Sequence, residues 1–176
     1  MTAGDAAQLL KRLERLETEQ AARATMAEYM RVCDTMEAPD TLARLKTLFA
    51  PDAMWEGLGP HYSHTLGRHE GRDAILAMMS SYQRNPPHFQ LNLHFLTGEY
   101  LHWQNRTLCG RWIMAQLSSF TAGGSSLASA EITARFTDDG RQISYFGTTR
   151  LFGRSETTSW DQPVAIPTPL VEEYRS

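Results

Sequence analysis

The chain has 176 residues and a mass of 19.9 kDa, with 17 Lys and Arg against 20 Asp and Glu for a formal net charge of −3. That length suits one domain, since two would each be marginal, and 41 % apolar with 21 % charged residues is ordinary globular composition. The weak negative charge argues against nucleic-acid binding, which needs clustered Lys and Arg, and no run of about 18 apolar residues is present to span a membrane. The amino-terminal MTAGDAAQLLKRLERLE is charged and amphipathic, without the apolar core and small-residue cleavage site of a signal peptide, so a soluble cytoplasmic protein is expected. Cys33 and Cys109 show no CxxC spacing and read as buried small apolar residues.

Residues 6–33 carry apolar positions at helical spacing, first Leu9, Leu10, Leu13 and Leu16, then Ala24, Met26, Tyr29, Met30 and Cys33. The polar LETEQAARAT between them leaves one long helix or two open, with Asp5 as the cap. The stripe ends at CDTMEAP. Pro39 then opens a second helix, because proline is tolerated in a first turn, with Leu42, Leu45, Leu48 and Phe49 as its buried face. A third helix is predicted over 71–83, with Ile75, Met78 and Met79 inward, and a short strand over 53–57. Between them, LGPHYSHTLGRHE holds three Gly or Pro and three His and reads as a loop or a ragged strand pair.

From residue 88 the texture changes to four strand-length runs, 88–103, 107–120, 125–136 and 141–152, joined by QNR, TAGG and the hairpin signal DDG. Residues 1–155 form the predicted domain. Residues 156–176 hold three prolines and read as an extended tail, a lid or a subunit-contacting arm. Helices followed by a long antiparallel sheet define an α+β fold. Wrapping a strongly curved sheet against helices leaves a cone-shaped cavity of the kind that binds ligands. An open sheet with one uncovered face also predicts a homodimer or homotrimer.

Alternation in HFQLNLHFLTG puts Gln90, Asn92 and His94 on one face, which either meets water or lines a polar pocket. Asp34 lies where the apolar stripe of the first helix ends. An acid there opposes the helix dipole, so it either opens a turn with Thr35 or serves another purpose. Trp112, Met114 and Gln116 share a face, as do Ser129, Glu131, Thr133 and Arg135, and Arg135 is one partner available to Glu131. Trp55, Trp103, Trp112, Phe95, Tyr62 and the methionines suggest a bulky apolar or aromatic ligand. The sequence has no GxSxG, Walker or HExxH motif, so nucleotide, metal and covalent serine chemistry lack support; His61-x-x-His64 with His69 is only a weak metal signal.

Four stretches, LLKRLERLETEQAARATMAEYMRVCD, LARLKTLFAPDAMWEG, GRDAI and LNLHFLTG, in that order and within residues 8–152, resemble the SnoaL-like branch of the nuclear-transport-factor-2-like superfamily. That branch is similar to scytalone dehydratase, bile-acid 7α-dehydratase and hexachlorocyclohexane dehydrochlorinase. The resemblance implies a cone-shaped α+β barrel whose Asp34 orients His94 as general base and whose Tyr29 polarises the substrate. It places Ser129 and Glu131 at substrate-contacting positions, Trp112 where the fungal dehydratase has a second histidine, and Phe146-Gly147 where several relatives have an arginine, the nearest here being Arg150. The implied activity is a cofactor-independent lyase, with no metal, that eliminates water, halide or a small fragment such as formaldehyde from a hydrophobic or aromatic compound. An isomerase or polyketide-type cyclase using the same dyad, and a non-catalytic binding or assembly module, are the alternatives.

Overall fold

The structure, a computed structural model, describes residues 2–160. The first leucine group and the Met26–Cys33 group belong to one continuous helix, α1 (Ala3–Asp34), because no Gly or Pro interrupts its interior after the first turn. The helix is capped by Thr2. Its hydroxyl accepts from the Asp5 N–H at 3.2 Å, and the Asp5 carboxylate accepts from the Thr2 N–H at 2.8 Å. Asp5 is therefore the distal half of a capping box and not the cap itself. Burial begins only at Ala22. Leu9, Leu10, Leu13 and Leu16 stand exposed, Leu16 to 61 %.

The second helix, α2 (Thr41–Leu48), starts after Asp40, so Pro39 lies outside it. Leu45 and Leu48 are buried, Leu42 is partly buried, and Phe49 opens the first strand, β1 (Phe49–Leu58). The Gly/Pro/His-rich stretch is not a loop. It folds as a short helix, α3 (Gly59–Thr65), with Pro60 in its first turn, followed by a three-residue strand, β2 (Arg68–Glu70). Gly57 makes room for this turn, since a Cβ there would lie 2.2 Å from the Tyr62 carbonyl oxygen. The helix α4 (Arg72–Ser80) buries Ile75 and Met79.

Four long strands follow: β3 (Phe89–Gln104), β4 (Thr107–Phe120), β5 (Ser125–Phe136) and β6 (Ile143–Glu156). The six-stranded sheet has the order β2-β1-β6-β5-β4-β3, antiparallel except for the β1–β6 pair. Register shifts in β1–β6, β3–β4 and β5–β6 bend it. The concave face holds the core, including Phe49, Leu108, Ile132 and Ile143 from the sheet, Leu45 and Ile75 from the helices.

β3 inverts the usual polarity. Its polar residues Asn92 and His94 point inward, whereas Leu93 and Phe95 point outward and are exposed. α1 runs antiparallel along this edge strand and is bonded to it repeatedly. Glu19 accepts from the Trp103 indole at 3.0 Å, Arg23 pairs with Glu99 at 2.7 Å, and the carboxyl-terminal turn is bonded to Asn92 and His94. A helix thus covers the strand edge that would otherwise invite pairing with another chain.

The Asp138-Asp139-Gly140 turn docks on α1, where the Thr25 hydroxyl donates to the Gly140 carbonyl at 3.1 Å. Gly140 has φ +72°, and a Cβ there would lie 2.2 Å from the Thr18 carbonyl oxygen. Of the expected tail, Trp160 donates its backbone N–H to the Ser119 hydroxyl at 2.9 Å; residues 161–176, and with them the expected lid or arm, lie outside the described residues. No helix among the described residues is long and apolar enough to cross a membrane. Replacing Gly140 by Ala combines a steric clash with a disfavoured backbone conformation, and a loss of about 2 kcal/mol of unfolding free energy is expected in urea titration.

Candidate functional site

A mostly apolar cavity of about 210 Å³ lies between the concave sheet face and the helices. α1 contributes Tyr29, Met30 and Cys33, α3 contributes Tyr62, and α4 contributes Met78 and Met79. The sheet contributes Trp55, Asn92, His94, Met114, Gln116, Ile132, Phe146 and Thr148. Among the described residues the wall carries no Lys, Arg, Asp or Glu; His94 is its one imidazole.

The last residue of α1 and the middle of β3 meet at this wall. Asp34 Oδ1 accepts from His94 Nδ1 at 2.7 Å and from the His94 backbone N–H at 2.8 Å. Two donors from the sheet therefore offset the unfavourable placement of an acid at the helix carboxyl end. Tyr29 and Asp34 are five residues apart, about 140° around a helix, and the helix does not loosen between them. The offset is used directly. Tyr29 faces the cavity, Asp34 is not part of its lining, and the imidazole of His94 is bonded to the carboxylate while bordering the cavity. With Nδ1 donating to the carboxylate, Nε2 carries the lone pair, and it has no hydrogen-bond partner among the described residues.

Tyr29 is buried among Phe49, Phe146 and Trp55. Its hydroxyl oxygen accepts from the Trp55 indole N–H at 3.0 Å, and Trp55 stacks on Phe146 at 5.6 Å. Burial, then the nearby Cys33 thiol, holds the Tyr29 pKa well above the usual 10, so the hydroxyl stays a neutral donor. Burial likewise pushes the Cys33 thiol up to about 12.

Behind His94 lies an amide network. Asn92 Nδ2 donates to the Cys33 carbonyl at 3.1 Å, while its Oδ1 accepts from Gln116 Nε2 at 2.9 Å and from the Ser118 hydroxyl at 2.8 Å. Gln116 Nε2 also lies 3.2 Å from that hydroxyl oxygen. Sequence alternation put Asn92 on the face of His94, and Gln116 on that of Trp112 and Met114, but only the fold brings the two together.

His94, Tyr29, Trp55 and Tyr62 all line the cavity, with Asp34 attached through His94. Four other expected site residues do not. Ser129 pairs with Ala115 and Glu131 with Ile113, on the outward-facing row of the sheet. Strand parity therefore gives the cavity side of β5 to Ala130 and Ile132, while Ser129 donates to the Met114 carbonyl at 2.9 Å and Glu131 forms an ion pair with Arg111. Arg135 is not the partner of Glu131; it stacks over the Tyr145 ring at 4.3 Å. Trp112 does point inward, but it is one step down β4 from the cavity residue Met114. There it packs near Phe136 and over Gly110, where a Cβ would lie 2.2 Å from its ring. Arg150 bonds the Gly153 carbonyl at 3.3 Å; its charge acts on Tyr62 from outside the lining. Cys33, read from sequence as core, borders the cavity. His69 contacts the Leu66 carbonyl at 2.9 Å, and no group of three or more His, Cys, Asp or Glu among the described residues is arranged to hold a metal ion.

Helices on a curved, mostly antiparallel sheet enclosing such a cavity define the nuclear-transport-factor-2-like fold. The sequence profile of the SnoaL-like domain matches residues 14–146, and the chain belongs to that family. A type 2 hexachlorocyclohexane dehydrochlorinase, LinA, is similar in structure at 18 % identity and TM-score 0.67, over 90 % of this chain and 99 % of that one. A scytalone dehydratase-like protein of Novosphingobium aromaticivorans is similar at 12 % identity and TM-score 0.66, over 86 % and 98 %. An NTF2-like protein with a cystatin-like fold from the same organism matches at 20 % identity and TM-score 0.60, over 85 % and 92 %. A comparison with curated proteins finds none that matches the sequence.

The raised thiol pKa has a stability consequence. Above the ordinary value of 9.0 the unfolded state releases the Cys33 proton, whereas the folded state keeps it until about 12. The unfolded state then binds fewer protons, so unfolding free energy falls as pH rises through that window. Urea titrations from pH 8 to 11 are expected to show this decline, with a shallower slope in Cys33→Ala.

Proposed function

We propose that the cavity is the active site of a cofactor-independent lyase that eliminates a small group from an uncharged hydrophobic or aromatic compound, with His94 as general base. The observation that carries this reading is the 2.7 Å contact between Asp34 and His94 Nδ1 at the edge of an apolar cavity. The carboxylate fixes the tautomer and stabilises the imidazolium, which makes Nε2 the basic nitrogen. Nε2 takes a proton from substrate carbon, the C–H electron pair becomes the new π bond, and the bond to the leaving group breaks with its electron pair going to that group. The neutral Tyr29 hydroxyl, held by Trp55, is suited to donate a hydrogen bond to the departing atom. His94 then returns its proton to the leaving group or to water. The names of two structural relatives, a dehydrochlorinase and a scytalone dehydratase-like protein, denote eliminations and support this class. Water and halide are the leaving groups proposed for this step; formaldehyde would leave by the related fragmentation, in which Nε2 takes the proton of a hydroxymethyl O–H, the O–H pair forms the C=O, the C–C pair becomes the new π bond, and a hydroxyl on the neighbouring carbon departs with its pair and takes the proton from His94 as water. Such losses from an aryl side chain fit a cavity walled by Trp55, Phe146 and five methionines.

A panel of aryl substrates bearing hydroxyl, halide or hydroxymethyl leaving groups tests the reading through the absorbance of the new conjugated double bond. Turnover is expected to fall about 10²–10⁴-fold in His94→Ala, and to fall as well in Asp34→Asn, where the partner that fixes the imidazole tautomer loses its charge. Unchanged rates in both variants would falsify the dyad mechanism. Conversion of a substrate to an isomer, with the leaving group retained, would instead identify an isomerase.

The proposed active form is a homodimer or homotrimer. Phe95 and Phe152 lie in one row across the outer sheet face through Ala115 and Ser129, and they are 52 % and 53 % exposed. With Leu93, two residues before Phe95 on the same face, they make an apolar surface larger than a lone exposed residue explains. Light scattering is expected to give a dimer or trimer mass for the native chain and a monomer mass for the Phe95→Glu/Phe152→Glu double variant. A monomeric native chain would remove this part of the proposal.

A further inference from the structure

The amide network behind His94 has a direction. The Cys33 backbone carbonyl can only accept a hydrogen bond, so the Asn92 group facing it at 3.1 Å is the Nδ2 donor. That fixes Asn92 Oδ1 on the opposite side as an acceptor, and the Gln116 group 2.9 Å from it must therefore be the Nε2 donor. The second proton of Nε2 is directed at the Ser118 hydroxyl oxygen, 3.2 Å away. Both amide protons of Gln116 are thus committed, and a flip of the amide would set two oxygens against each other. What remains is Gln116 Oε1, which has no hydrogen-bond partner among the described residues, on a side chain that lines the cavity.

Gln116 is also the register partner of His94 across β3 and β4, on the same inward face. Directly opposed residues of an antiparallel pair have Cβ atoms about 5 Å apart. A ligand group that touches one of these side chains is therefore within reach of the other.

We propose that Gln116 is the specificity-determining residue of this cavity, an acceptor that selects uncharged ligands carrying a hydroxyl and holds that hydroxyl beside His94. A ligand lacking the donor would leave the Gln116 oxygen unpaired in an apolar pocket, which is the arrangement that discriminates most strongly between a substrate and its deoxy or O-alkyl analogue. A carboxylate would meet this same oxygen and find no Lys or Arg on the wall to offset it.

The inference rests on the reading of this cavity as the substrate site, but it is tested by binding and not by turnover, so its failure is separable from failure of the acid–base mechanism. Three probes of similar size, 4-ethylphenol, 4-methylanisole and 4-methylbenzoate, are titrated calorimetrically into the full-length protein at neutral pH. The phenol is expected to bind at least about tenfold more tightly than the anisole, and the benzoate not at all. Gln116→Leu is expected to weaken the phenol about tenfold while leaving the anisole within twofold. If that variant does not fold, the wild-type protein still answers. The Gln116 side-chain amide resonances in a ¹⁵N spectrum are expected to move with the phenol and not with the anisole. Equal affinity of phenol and anisole, binding of neither up to millimolar concentration, tight binding of the benzoate, or a phenol preference that survives Gln116→Leu, as would follow if the hydroxyl bonded only to His94, would each overturn the proposal.

Discussion

The site depends on how the carboxyl end of α1 is fastened to the middle of β3. A helix terminus leaves its last carbonyls unpaired, and an acid there adds unfavourable charge. β3 answers both with inward polar side chains: Asn92 takes the Cys33 carbonyl, and His94 takes the Asp34 carboxylate through ring and backbone. The same contacts that close the helix set the tautomer of the imidazole, so local folding and chemical readiness are one arrangement. Buried polar groups of this kind are costly unless each is satisfied. Here the network extends through Gln116 and Ser118 until only cavity-facing atoms are left over.

The polarity inversion of β3 follows from that requirement. Where its concave face supplies an amide and an imidazole to a helix end, the strand gives little apolar surface to the core. Leu93 and Phe95 therefore face outward, where an uncovered apolar row results, while Leu96 and Leu101 further along pack against the core. The hydrophobic duty passes to β4 and β5, whose inward positions Met114, Ala130 and Ile132 are buried.

Much of this was legible in the sequence. The helix–strand order and the four long strands followed from periodicity, because period-two and 3.6-residue patterns survive in a single chain; the pairing of Asp34 with His94 followed from the resemblance alone. Three things were not. The α3 segment looked like a loop because Gly59 and Pro60 head it, yet proline in a first turn does not oppose a helix. Ser129 and Glu131 were placed on the wrong side because a one-residue shift of register exchanges the faces of a strand, and nothing local to β5 fixes its parity. Asn92 shared a face with His94, left open between water and a polar pocket, and Gln116 shared one with Trp112 and Met114, but their mutual bond depends on the β3–β4 register, which no spacing in either strand encodes.

The length of α1 carries a mechanical consequence. Its 32 residues make a rod of about 48 Å at 1.5 Å per residue, and from Asp5 to Asp34 it contains neither Gly nor Pro to act as a hinge. The stretch bearing Leu9, Leu10, Leu13 and Leu16 precedes the first buried residue of the helix, and the Asp34 carboxylate terminates the other end. A single unbroken rod therefore joins the leucine-bearing tip to the carboxylate that holds the imidazole, with Glu19, Arg23 and Thr25 clamping it to the sheet and the β5–β6 turn in between, so the tip projects from a helix whose other end is held in place.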